Sequence, residues 1–112
     1  FLSGQENMLS IKNSDYCVKS SRHLYQIRIR ASDKSEGLPK RDFIINKLHK
    51  NNIYPGVHYV DNTTYKMYSY ANGNCPKAHK YSDQILSLPN HLELNKEDIE
   101  RVSTIIKEEL QK

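Results

Sequence analysis

Along HLYQIRIR, residues 23–30, apolar and polar positions alternate: Tyr25, Ile27 and Ile29 point one way, Gln26, Arg28 and Arg30 the other. A period of two predicts a strand with one face buried and one wet. After a turn-rich ASDKSEG, the run LPKRDFIINKLHKNN changes to a helical period. Ile44, Ile45 and Leu48 make its stripe, with Phe43 on the flank. Pro39 suits the first turn, where its missing N–H would be unpaired anyway. Asn51-Asn52 suits the end, because asparagine tolerates the left-handed backbone that closes helices. Ile53 to Tyr59 predicts a second strand, broken at Pro55-Gly56 and so at an edge or a bend.

Residues 60–74 predict a long polar loop rich in tyrosine, and CPKAHKYSDQIL a short helix with Pro76 near its start. SLPNHL is a brief extended piece. NKEDIERVSTIIKEELQK is the clearest helix: Asn95 and Asp98 resemble a capping box, and Ile99, Val102, Ile106 and Leu110 form its apolar stripe. The first 21 residues show no period and read as an irregular lead-in, leaving residues 22–112 as one small domain. The order strand, helix, strand, loop, helix, extended piece, helix predicts an α+β fold. A small, mostly antiparallel sheet should carry helices packed on one face.

Composition sharpens this picture. A chain of 112 residues is enough for one modest core. An apolar content of 37% and a mean hydropathy of −0.80 are low for a self-sufficient globule, which predicts a domain leaning on a neighbour. The net charge of +4 favours solubility and is too small to argue for nucleic acid. No apolar run approaches the ~18–20 residues that span a bilayer. FLSGQENML lacks the features of a signal peptide, so the cytoplasm is the expected compartment. Cys17 and Cys75 read as two reduced thiols rather than a disulfide framework.

Chemistry is sparse. Neither of the glycine-rich phosphate loops occurs, and no metal site is expected: Cys75 and His79 stand four apart, but no second pair accompanies them. Of the five histidines, His23, His49, His79 and His91 read as strand-end, helix-end or surface groups. His58 differs, because it closes a strand beside Gly56 and precedes a long loop, a usual place for a site. Five of the eight tyrosines fall between residues 53 and 70, beside it. Arg28 and Arg30 with nearby tyrosines could suggest an RNA-binding sheet, but no RNP-like aromatic pattern follows.

Taken in order, HLYQIRI, RDFIINKLHKNNIYPGVHY and CPKAHKYSDQILSLPNHLELNKEDIERV resemble the C-terminal domain of the DegT/DnrJ/StrS family, over roughly residues 21–108. These are pyridoxal-phosphate-dependent aminotransferases of nucleotide-sugar and polysaccharide biosynthesis. The resemblance implies a small domain cut from a large one that would carry pyridoxal phosphate, its lysine and the phosphate-binding groups. On this reading the 112-residue chain is a fragment with no catalytic residue of its own and binds no cofactor alone. The intact protein would be a transferase, usually a homodimer, moving an amino group from glutamate to a 3- or 4-keto sugar on a nucleotide. His58 and Tyr59 match the family's substrate-facing segment and are the expected substrate-binding residues. Neither nucleic acid nor membrane is an expected partner.

The chain departs from the family pattern HY-x-P-x-H at Asp61 and Thr63, and His79 stands where many relatives carry glutamate. A carboxylate beside a nucleotide diphosphate is unfavourable, so Asp61 should point away or the substrate should differ. The alternative reading is a stand-alone ligand-binding or regulatory module without catalysis.

Overall fold

The computed structural model describes residues 2, 8–10, 21–30 and 40–111. Among these residues three strands form one antiparallel sheet in the order β1 (Met8–Ser10), β2 (Tyr25–Ile29), β3 (Ile85–Leu88). The α-helices among the described residues are α1 (Lys40–Lys50), α2 (Pro76–Ser82) and α3 (Lys96–Leu110). The fold is α+β, as the pattern predicted.

The alternation in β2 decides the architecture. Ile27 and Ile29 are completely buried, and Leu86, paired with Ile27 across the β2–β3 ladder, joins them on the same face. Against that face lie Ile44 and Leu48 of α1 and Val102, Ile105, Ile106 and Leu110 of α3, in one continuous core. Tyr25, the third apolar residue of the β2 face, lies at the sheet's end and is about half exposed. Burying a side chain the size of isoleucine is worth roughly 1.5–3 kcal/mol, so this cluster is the main source of cohesion.

The helix ends follow local chemistry. Asn52 adopts φ 59° after α1, and Asn51 Nδ2 donates to the Lys47 carbonyl at 2.9 Å. α3 opens with a complete capping box: Asp98 N–H donates to Asn95 Oδ1 at 2.8 Å, and Asn95 N–H to Asp98 Oδ2 at 3.1 Å. Arg101 of α3 donates to the Asn51 carbonyl at 2.7 Å, tying the two helices where α1 stops.

Five expectations change. Met8–Ser10 is a strand, within the stretch read as irregular; pairing with β2 supplies an order that no periodicity announced. Ile53–Tyr59 shrinks to one bridge, Gly56 with Ser87, because Pro55 has no N–H to extend the ladder. The tyrosine-rich loop folds into 3-10 turns at Asn62–Thr64 and Lys66–Ala71. α2 stops at Ser82, and Ile85 and Leu86 leave it for β3, where the partner strand satisfies their backbone. In α3, Ile99 is 42% exposed, and Ser103 and Ile105 are buried instead. Leu38-Pro39, the ASDKSEG turn and Cys17 lie outside the described residues, so the cysteine expectation concerns Cys75, a free and exposed thiol.

Candidate functional site

The second face of the sheet carries Gln26, Arg28 and Ser87 and is largely covered: Ser87 is buried and Gln26 and Arg28 are half-buried, while Arg30 at its end stays exposed. The chain from Gly56 to Asp61 and α2 cover it. Gly56 N–H donates to the Ser87 carbonyl at 2.9 Å and Ser87 N–H to the Gly56 carbonyl at 2.8 Å, which lays this segment along the free edge of β3. Arg28 places its guanidinium carbon 4.7 Å from the centroid of the Tyr81 ring, a cation–π contact with α2. An RNA-binding sheet would need that face open.

Gln26 and Ser87 sit directly opposite each other across β2 and β3, and both hold His58. Gln26 Nε2 donates to the His58 carbonyl at 2.8 Å, and Ser87 Oγ lies 2.8 Å from His58 Nδ1. Gly56 makes room: a Cβ there would stand 2.6 Å from His58 Cε1, inside van der Waals contact. Glycine is required here for close approach rather than for its backbone angles. His58 is thus half-buried and fixed by its carbonyl and one ring nitrogen. Tyr59, joined to it by a cis peptide, is 76% exposed and meets the imidazole edge-on, with ring centres 5.1 Å apart. The pair offers one fixed and one exposed polar aromatic on adjoining surface.

Asp61 turns away from that surface. It is buried; its Oδ1 accepts from the Thr63 N–H at 2.9 Å and its Oδ2 from the Thr63 hydroxyl at 2.8 Å, capping the first 3-10 turn. His79 Nδ1 stands 3.3 Å from the same Oδ2. These contacts bring together all three positions at which the chain departs from the family pattern. The Thr63 N–H and hydroxyl hold the Asp61 carboxyl below the ordinary aspartate range; burial opposes them and His79 reinforces them. Asp61 N–H in turn donates to Ser82 Oγ at 2.9 Å, and Ser82 offers its carbonyl to Arg41 of α1. His79, read as solvated, is 61% exposed but engaged by Asp61 rather than by Cys75.

His23 bonds Ser21 at 3.1 Å, and His49 packs near the Tyr54 ring; neither approaches His58 through any contact of its own. Two clefts flank the start of α3, one of about 220 Å³ lined by Leu2, Tyr25, Leu88, Leu94 and Ile99 among others, and one of about 390 Å³ reaching Tyr54 and Arg101. His58 and Tyr59 line neither. Gln26, Ser82 and Ser87 were not anticipated. The available signal was a serine flanked by leucines in ILSL, a polar residue inside a strand too apolar to be exposed.

The described residues thus form a sheet of three antiparallel strands with two helices on one face and a half-buried histidine held on the other. The chain belongs to the DegT/DnrJ/EryC1/StrS aminotransferase family, whose pattern it matches over residues 2–107. It is 33% identical over 75 residues to the UDP-N-acetyl-3-dehydro-alpha-D-glucosamine 3-aminotransferase of Acidithiobacillus ferrooxidans, covering 65% of this chain and 20% of that protein. Its fold matches Spr1654 of Streptococcus pneumoniae, assigned as a sugar aminotransferase, with TM-score 0.76 and 27% identity over 94% of this chain and 26% of that one. That protein is known in pyridoxal-phosphate and pyridoxamine-phosphate forms, so the cofactor belongs to the family. The aminotransferase TlmJ of Streptoalloteichus hindustanus shares the fold at TM-score 0.80 and 24% identity, over 98% of this chain and 28% of that one. The chain therefore spans between a fifth and somewhat more than a quarter of these relatives' length. Nothing among these matches favours a stand-alone regulatory module.

The described residues do not by themselves make a pyridoxal-phosphate site. None of the described lysines is buried, and Asp61, the one buried carboxylate among the described residues, is taken by Thr63 and His79. No helix among them is long and apolar enough to cross a membrane.

Proposed function

We propose that this chain is the small C-terminal domain, residues 22–112 with a lead-in before it, of a longer pyridoxal-phosphate-dependent aminotransferase. That protein transfers an amino group from glutamate to a keto sugar carried on a nucleotide. The family match over residues 2–107 is the observation that carries the reading. The substrate class is taken from the relative that acts on a UDP-linked keto sugar. The cofactor and the lysine that holds it belong to the remainder of the protein, which supplies the amino-transfer chemistry. The remainder also covers the tyrosines left exposed here, and the assembly is a cytoplasmic homodimer.

This chain's part is to bind and orient the sugar nucleotide. His58 and Tyr59 are its substrate-binding residues. A sugar presents many hydroxyls and carbonyl oxygens, and flat side chains with one polar tip meet them at small conformational cost. His58 is fixed before any ligand arrives, while Tyr59 stands free to stack or to hydrogen-bond. Asp61, drawn inward by Thr63, keeps its charge off the surface that a diphosphate would approach.

The test uses the two half-reactions of the full-length protein, with glutamate and with a UDP-linked 3-keto sugar. His58→Ala and Tyr59→Phe should weaken the sugar half-reaction about tenfold, as expected for one lost ligand hydrogen bond of roughly 1–1.5 kcal/mol. The defect should show in KM for the sugar nucleotide more than in the reaction with glutamate. Equal losses in both halves, or none in either, would remove the pair from the substrate site.

A further inference from the structure

We infer that Ser87 is a positioning residue: its buried hydroxyl fixes His58 in the tautomer protonated on Nε2, so that the imidazole meets a ligand as a hydrogen-bond donor. That His58 faces a ligand rests on the function proposed above; the tautomer does not.

Ser87 is 3% exposed, in the middle of β3, with its backbone N–H and carbonyl both committed to Gly56. Its Oγ has a single hydrogen-bond partner among the described residues, His58 Nδ1, at 2.8 Å. A serine hydroxyl carries one hydrogen and two lone pairs, whereas each nitrogen of a neutral imidazole is either donor or acceptor. If Nδ1 held the proton it would donate to Oγ, and the serine's own hydrogen would be buried without an acceptor, which is costly. The other assignment satisfies both groups: the serine O–H donates to the Nδ1 lone pair and the ring proton sits on Nε2. The hydrogen-bond network thus selects the tautomer.

The surroundings hold the ring in the orientation this bond needs. Gln26 fixes the His58 carbonyl, the Gly56–Ser87 bridge keeps the segment on the edge of β3, and the missing Cβ at Gly56 lets the ring lie against the backbone. Nε2 has no partner among the described residues. It therefore presents an N–H to whatever approaches, and that selects an oxygen with a free lone pair: a sugar hydroxyl or carbonyl, or a phosphoryl oxygen. A group that can only donate is rejected there.

The readout is the long-range proton–nitrogen correlation spectrum of ring-labelled histidines in the native protein, with the His58 signals assigned by their loss in His58→Gln. The expected pattern is a pyrrole-like Nε2 and a pyridine-like, hydrogen-bonded Nδ1. Ser87→Ala should lose the hydrogen-bond shift at Nδ1 and let the two tautomers mix, Ser87→Thr should restore the original pattern, and Gly56→Ala should displace the ring and abolish it. A pyrrole-like Nδ1 in the wild-type protein would overturn the assignment, as would a Ser87→Ala spectrum identical to wild type. Should Ser87→Ala fail to fold, the wild-type spectrum and Gly56→Ala still decide the matter. No ligand enters the measurement, so its result stands apart from the fate of the sugar half-reaction.

Discussion

Asp61 is a buried carboxylate that keeps its charge because its neighbours donate to it. Two hydrogen bonds from Thr63 outweigh the cost of burial, and the nearby His79 adds to them, so the folded carboxyl stays below the ordinary aspartate range. The sign of the pH effect follows. A lowered folded pKa means that Asp61 stabilises the fold fully above the unfolded aspartate value, and that this contribution is lost as the pH falls through the folded one. Urea midpoints of the wild type and Asp61→Asn should differ at neutral pH and converge in the acid range below the unfolded value. A gap that stayed constant or widened on acidification would show that the charge is not what the site rewards. At this scale, the chain itself marks His58 by its place beside Gly56 at a strand end, whereas Tyr59 enters only through the family resemblance. The same resemblance sets apart the three unusual positions 61, 63 and 79, yet does not show that they touch. Sequence spacing carries no information about a contact made when a 3-10 turn folds against a helix 18 residues further on.

The elements divide by how locally their stability is fixed. α3 was legible to its caps, because a capping box is closed within four residues and an apolar stripe at a 3.6 period needs no partner to be recognised. Asn95→Ala should cost about 1 kcal/mol, a usual value for losing an N-cap, and shift the denaturation midpoint without changing its slope. A shift indistinguishable from zero would mean that packing against α1 alone orders the first turn. Ile106 is fully buried between the sheet and α1, and Ile106→Ala should cost more, about 2–5 kcal/mol. The strands were less legible. β2 alternates and was visible; β1 and β3 are three and four residues long and exist because β2 pairs with both. Ile85 and Leu86 fit a helix end as well as a strand start, and the ladder chose.

The whole domain is stabilised unevenly, with its cohesion on one side of the sheet. α1, α3 and the inward face of β2 and β3 share one core, whereas neither 3-10 turn between Asn62 and Ala71 buries a residue in it, and Tyr65, Met67 and Tyr70 stand more than half exposed. Amide exchange should therefore be slowest in α3 and β2 and much faster at Lys66–Ala71, which opens without disturbing the core. Equal protection across both regions would show that something besides the core described here holds the turns. The amino-acid sequence by itself determined the fold class, the places of the helices, the N-cap of α3, the central strand and the segment that carries the candidate site, because periodicity and capping are written in residues a few positions apart. The tertiary structure alone decided that the supposedly wet face of β2 is covered and that Gln26 and Ser87, 32 and 29 residues from His58, are its holders. It also decided that Asp61 points inward. Those outcomes depend on which polar groups are left to satisfy one another once the sheet has paired, and the apolar pattern that drives the pairing does not specify them.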